Sequence, residues 1–200
     1  MFQEFRHIRL QDTSDVDFIL SPDSANAVVS LHSPAVDVLT DFSQTNPVSI
    51  AESVQIDEAL EVMKSQHVRL LFVLDNQGSF SGIVTAADVQ GRKILAFMQR
   101  DGVSRDQVQV RHIMLGKLHI RALTYEQIKD AKVGDIMLTL KGSGDQHVIV
   151  LDEGAAGVSR IRGIISSSDI SRRLRIGFDV MYEAKSFAEI EKIVSHGGEI

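Results

Sequence analysis

One eight-residue segment occurs twice in this chain of 200 residues. Gly82-Ile83-Val84-Thr85-Ala86-Ala87-Asp88-Val89 returns, 81 positions later, as Gly163-Ile164-Ile165-Ser166-Ser167-Ser168-Asp169-Ile170. Both copies run glycine, two β-branched residues, a hydroxyl residue, two small residues, aspartate and a β-branched residue. Self-similarity at a fixed spacing marks duplicated structural units, so the chain is expected to fold as two copies of one unit. A strand ending in a hydroxyl and a carboxylate, present twice, predicts two ligand-holding positions.

The repeat extends upstream. Ile56, Ala59, Leu60 and Met63 form an apolar stripe at helical spacing, and Val133, Ile136, Met137 and Leu140 repeat it 77 positions later. The spacing of 77 persists through Lys64/Lys141, Val73/Val150 and Asp75/Asp152. The change from 77 to 81 falls in Glu153-Gly154-Ala155-Ala156-Gly157, a small-residue turn where insertions cost little.

Around these copies the sequence predicts a common order. Ser33-Pro34 opens a short helix, with Ser33 as its N-cap, Pro34 at the first helical position and Val36, Val38, Leu39 and Phe42 as its apolar residues. Pro47–Ile50 reads as a short strand, and a helix follows over 56–63. Leu70–Leu74 is a continuous apolar run, the pattern of a strand buried on both faces. Phe80–Thr85 is the next strand, and a helix runs from about Ala86 to Phe97. In the second half the expected order is a strand at Leu118–Ala122, an inserted helical turn over 124–131, a helix at 133–141, strands at 147–151 and 160–165, and a helix at 167–176. The resulting organisation is an N-terminal extension (1–32), a first repeat (33–100), a linker (101–109), a second repeat (110–178) and a tail (179–200). In the tail, Ser186 and Glu189 form a capping box and predict a docked helix. The fold class is α/β (α+β). Each half is a three-stranded sheet with two helices on one face. The bare faces should pack sheet to sheet about a pseudo-twofold axis, since apolar burial is worth roughly 25 cal/mol per Å².

Composition removes several function classes. The chain has no cysteine, which excludes disulfides, thiolate metal sites and cysteine nucleophiles. Its net charge of −6 argues against a polyanionic nucleic-acid partner. No apolar run approaches the roughly 20 residues of a membrane span, and the first residues are not an export signal. A cytoplasmic protein is expected. The histidines do not fall at metal-ligand spacing. Gly142-Ser143-Gly144 lacks the Lys-Ser/Thr of a phosphate loop. No nucleophile, base or metal site points to an enzyme.

The helix stripe, the buried strand, the Asp turn and the doubled Gly-φ-φ-(Ser/Thr)-x-x-Asp segment together resemble a pair of CBS domains, a Bateman module, over roughly 33–176. The stretch from Ser33 to Asp88 is most similar to stand-alone bacterial CBS proteins, with no catalytic domain to regulate in cis. The resemblance implies a regulatory ligand, an adenine nucleotide such as AMP, ADP or ATP, in the clefts between the halves. S-adenosylmethionine stays open as an alternative. It further implies that Asp88 and Asp169 hold ribose, that Thr85 and Ser166 contact phosphate, that Pro47 and Val48 line the base pocket, and that Arg69 and His147 lie near the phosphates. Family members commonly form homodimers and act on a separate regulated protein, and both are expected here.

The residues support this chemistry independently. A carboxylate offers two acceptors that match the donors of a ribose diol. A helix N-terminus suits phosphate. Arg92 and Arg173 occupy equivalent places one turn into each helix and are expected to reach a phosphate or the nearby aspartate; Lys93 and Arg172 add positive charge. The same Ser/Thr-x-x-Asp pairs also read as helix caps, worth about 1 kcal/mol each without any ligand. If capping were their whole role, the protein would be an interaction scaffold with vestigial clefts. Gln146 stands where the first copy has Arg69, so the two clefts are expected to differ.

Overall fold

The computed structural model describes residues 29–154 and 157–175. Within them the repeat is realised as two four-stranded sheets.

In the first sheet, β3 (Leu70–Leu74) is central, with four of its five side chains buried, as its apolar run requires. It pairs parallel with β2 (Ser49–Ala51) and antiparallel with β4 (Phe80–Thr85). In the second sheet, β7 (His147–Glu153) pairs parallel with β6 (Ala122–Thr124) and antiparallel with β8 (Ser159–Ser166). These are the three-stranded sheets expected from the repeat.

The fourth strand of each sheet comes from the other half. β1 (Thr40–Asp41), at the start of the first repeat, pairs with β8, placing Asp41 opposite Gly163. β5 (Leu115–Gly116), at the start of the second, pairs with β4, placing Gly116 opposite Gly82. The exchange explains the glycine that opens each motif. A Cβ built on Gly163 would lie 2.4 Å from the Thr40 carbonyl oxygen, and one on Gly82 would lie 2.4 Å from that of Leu115. Only glycine lets the visiting strand approach so closely.

The helices are α1 (Ile56–Ser65), α2 (Ala86–Gln90), α3 (Arg92–Asp101), α4 (Val110–Ile113), α5 (Tyr125–Asp130), α6 (Val133–Ser143) and α7 (Ser167–Leu174). Three cores result. Ile56, Ala59 and Met63 of α1 pack on Leu71, Val73 and Val84 of the first sheet, joined by Val110 and Ile113 from the second half's start. Val133, Ile136, Met137 and Leu140 of α6 pack on Val148, Val150 and Ile165, joined by Ala35 and Val38 from the first half's start. The third core lies between the sheets, where Leu70, Phe72, Ile83 and Ile149 meet. The sheets therefore face each other as the repeat implied.

Several local expectations differ. Pro34 is itself the residue before a 3-10 turn (Ala35–Val38), and Ser33 is not its cap; the Ser33 hydroxyl accepts from the Ser30 N–H at 2.9 Å. Phe42 belongs to the layer between the sheets. The expected strand at Leu118–Ala122 starts only at Ala122, after a 3-10 turn over Lys117–His119. The single helix expected over 86–97 is broken at Gly91. Its backbone is extended, and a Cβ there would lie 2.4 Å from the Ala87 carbonyl oxygen. The tail helix headed by Ser186 lies outside the described residues.

A bidentate ion pair clamps the exchanged strand β1. Arg162 on β8 donates from Nε and Nη2 to the two carboxylate oxygens of Asp41, at 2.8 and 2.9 Å. The guanidinium carbon lies 4.7 Å from the centre of the Tyr125 ring. The hydrogen bonds from Arg162 hold the Asp41 carboxyl well below the usual carboxylate range.

Candidate functional site

The two motifs begin their helices in the same way. Thr85 Oγ1 accepts from the Asp88 N–H at 3.2 Å, and Ser166 Oγ accepts from the Asp169 N–H at 3.0 Å. Each hydroxyl also donates to its aspartate Oδ2, at 2.7 Å for Thr85 and 2.8 Å for Ser166. Both pairs are thus helix caps in fact. The Arg69 carbonyl accepts from the Ala86 N–H and the Gln146 carbonyl from the Ser167 N–H, each at 2.9 Å. Arg69 and Gln146 are therefore structural counterparts.

Beyond the caps the copies diverge. Beside the second motif lies a cavity of about 610 Å³, inside the range of about 300–1,000 Å³ usual for small-molecule sites. Its apolar wall comes from Phe42, Val48, Phe72 and Ile164, and its polar residues include Arg69, His147, Ser166 and Asp169. Val48 and Arg69 reach it from the first half, and His147, Ser166 and Asp169 from the second. Pro47 does not line it.

The first motif faces a smaller cavity of about 400 Å³, lined by Arg69, Thr85, Ala86, Ala87, Gln90 and Gln146. Asp88 does not line it and is committed elsewhere. Its Oδ2 accepts from both the N–H and the hydroxyl of Thr85, and its Oδ1 accepts from Lys93 Nζ. The Asp88 side chain is only 12% exposed. Arg69 borders both cavities.

The arginines chosen by helix equivalence are not the ones that meet the aspartates. Arg173 turns away and donates to the Asp37 carbonyl at 2.7 Å, and Arg92 lines neither cavity. Arg172 instead donates to Asp169 Oδ1 at 2.6 Å and lines the larger cavity. Lys93 plays that part for Asp88. Residues three and four apart on a helix are both neighbours, so sequence alone left the choice between Arg172 and Arg173 open. His67, with its backbone in the left-handed region at φ 54°, also lines the larger cavity. It had no signal in the repeat, because its counterpart is Gly144, also left-handed at φ 73°.

Burial pushes the His147 imidazole below its ordinary pKa, and the Arg69 charge adds to the effect, against Asp169 and Asp145, which act the other way. His112 is likewise lowered, by burial first and by Arg111 second. Its Nδ1 accepts from the Gln109 N–H at 3.1 Å, and its ring stacks on Phe97 at 4.5 Å. Both folded pKa values lie below that of an unfolded histidine, so the unfolded chain takes up protons first on acidification. Stability should be complete above about pH 6.5 and fall as pH drops below it. Urea melts at pH 7.5 and pH 5.5 should show this loss, and His147→Gln should reduce it. A pH-independent midpoint would contradict the assignment.

Among the described residues no helix is long and apolar enough to cross a membrane, and no cluster of three metal-ligating side chains occurs.

Comparison with known proteins agrees with this architecture. Residues 38–92 match the family model of the CBS domain. A solved structure of an uncharacterized conserved protein from Pyrococcus horikoshii is similar at 19% identity, over 74% of this chain and 97% of that one, with a TM-score of 0.52. A CBS-domain-containing protein from Agrobacterium tumefaciens is similar at 21% identity, over 73% and 96%, with a TM-score of 0.51. The protein CBSX2, solved in complex with AMP, is similar at 19% identity, over 70% and 94%, with a TM-score of 0.50. No curated protein matches the chain. Residues 38–92 thus match the CBS domain, and the fold of the described residues is that of a CBS-domain pair.

Proposed function

We propose that this protein is a non-enzymatic regulatory sensor that binds an adenine nucleotide in the larger cavity. The carrying observation is the convergence of Ser166, Asp169, Arg69 and His147 on one cavity whose opposite wall is apolar. A base needs an apolar slot, a ribose needs a carboxylate and a phosphate needs donors and positive charge. All three lie around the same 610 Å³. The AMP held by the similarly folded CBSX2 is in keeping with this reading.

Because the cavity takes residues from both halves, a bound nucleotide favours the relative orientation that closes it. A partner protein, or a second copy of the chain, would respond to that orientation. At the smaller cavity the capping role alone is better supported, since Asp88 already has three donors.

Thermal melts with AMP, ADP and ATP test the proposal. A nucleotide at 100 times its Kd should stabilise the wild type by about 2.7 kcal/mol. Asp169→Ala should weaken binding by at least about tenfold, the loss of a hydrogen bond to a charged group. Asp88→Ala should change affinity by less than about threefold. Absence of any shift, or equal losses in the two variants, would count against it.

A further inference from the structure

Asp169 is engaged at both oxygens. Oδ2 accepts from the Ser166 hydroxyl at 2.8 Å and Oδ1 from Arg172 Nη2 at 2.6 Å. A ribose diol would bring two more donors to the same two oxygens, where they compete with the donors already there. Ser166 is held by its capping bond and is 7% exposed. Arg172 is the mobile party: its side chain is 76% exposed, and a solvated ion pair of this kind is weak. Its planar fork suits a phosphate at least as well as a carboxylate, because both accept two parallel N–H bonds. Arg172 also lines the cavity, where among the described residues Asp169 is the one carboxylate beside Arg69, Arg172, His67 and His147.

We propose that Arg172 selects for phosphorylated ligands by exchanging Asp169 for a phosphate, which frees the carboxylate for the ribose. This rests on the nucleotide reading above and narrows its ligand class. A nucleoside without phosphate gives Arg172 no replacement partner, so it must compete with the guanidinium for Asp169. S-adenosylmethionine offers Arg172 only an α-carboxylate in place of a phosphate, and its net positive charge is unfavourable beside Arg69 and Arg172. Adenosine and S-adenosylmethionine are therefore poor ligands, and AMP or its higher phosphates are good ones. The exchange has no counterpart at Asp88, which does not line the smaller cavity.

Calorimetric titration of the full chain with AMP and with adenosine tests the exchange. The wild type should prefer AMP by at least about tenfold. Arg172→Gln should weaken AMP by about tenfold while leaving adenosine unchanged or slightly tighter, so that the preference approaches one. Arg172→Lys should restore part of it. A merely structural role would lower both affinities together. An unchanged preference in Arg172→Gln, or equal binding of adenosine and AMP to the wild type, would overturn this inference and leave the nucleotide reading standing. Failure of AMP, ATP and adenosine alike to bind the wild type would overturn both.

Discussion

Replacing Gly163 by valine is expected to lower the stability of this protein by about 3 kcal/mol, at the upper end of overpacking costs. For a chain of this size that is a drop of roughly 10 °C in melting temperature. A Cβ at Gly163 would meet the Thr40 carbonyl oxygen at 2.4 Å and a Leu39 methyl at 2.8 Å. Backbone cannot yield as a flexible side chain does, so β1 must leave the sheet. Its departure removes the pairing with β8 and the bond from the Phe42 N–H to the Arg162 carbonyl, 2.8 Å long. Gly142→Ala is the control. It has nothing within 4 Å and lies within a helix, so it should stabilise slightly, by about 0.5 kcal/mol. Equal melting temperatures for Gly163→Val and the wild type would show that the exchanged strand is not held as described.

Arg162→Ala is expected to cost about 2 kcal/mol, because it strands the Asp41 carboxylate, which is only 15% exposed. The loss should depend on pH in a defined window. The folded state holds the Asp41 pKa below its unfolded value, so the pair contributes in full above about pH 4 and its contribution fades as pH falls further. Urea midpoints of wild type and variant should therefore differ most at pH 7 and by progressively less below pH 4, with part of the gap still present at pH 3. A second effect follows from position: Thr40, Phe42, Thr45 and Asn46, just beyond the clamp, line the larger cavity. Nucleotide affinity should fall with the clamp, although Arg162 does not line the cavity. A gap that persists undiminished at pH 3 would mean that the lost packing on Tyr125, rather than the charge, carries the cost.

Much of the fold was legible because it rests on periodicity. The α1 and α6 stripes and the apolar runs of β3 and β7 each bury a face that only one arrangement can cover. The exchanged strands were hidden for the opposite reason. Thr40-Asp41 and Leu115-Gly116 are two residues long, too short to show an alternation, and their partners lie far away in sequence. Their one trace was the pair of motif glycines, which the sequence offered as part of a ligand motif and the structure explains as clearance for a passing backbone. At the site, Ser166, Asp169, Arg69 and His147 were named from the chain, and they do share a cavity. Thr85 and Asp88 were named on the same pattern, yet Asp88 turns inward because Lys93 and a second cap bond claim it. Arg172 was undervalued beside Arg173, a choice made by the distant Asp37 carbonyl and invisible to local spacing.

The crossing of β1 and β5 also bears on how the chain is made. A ribosome delivers Thr40 well over a hundred residues before Ile164, its partner across the ladder. Until then the early half carries an unsatisfied edge of its own, and Ala35 and Val38 await a core that has not been synthesised. Neither half closes without a donation from the other, so native structure should arrive late and in a single step. Severing the chain near Gly102 should yield two fragments that fold only when mixed.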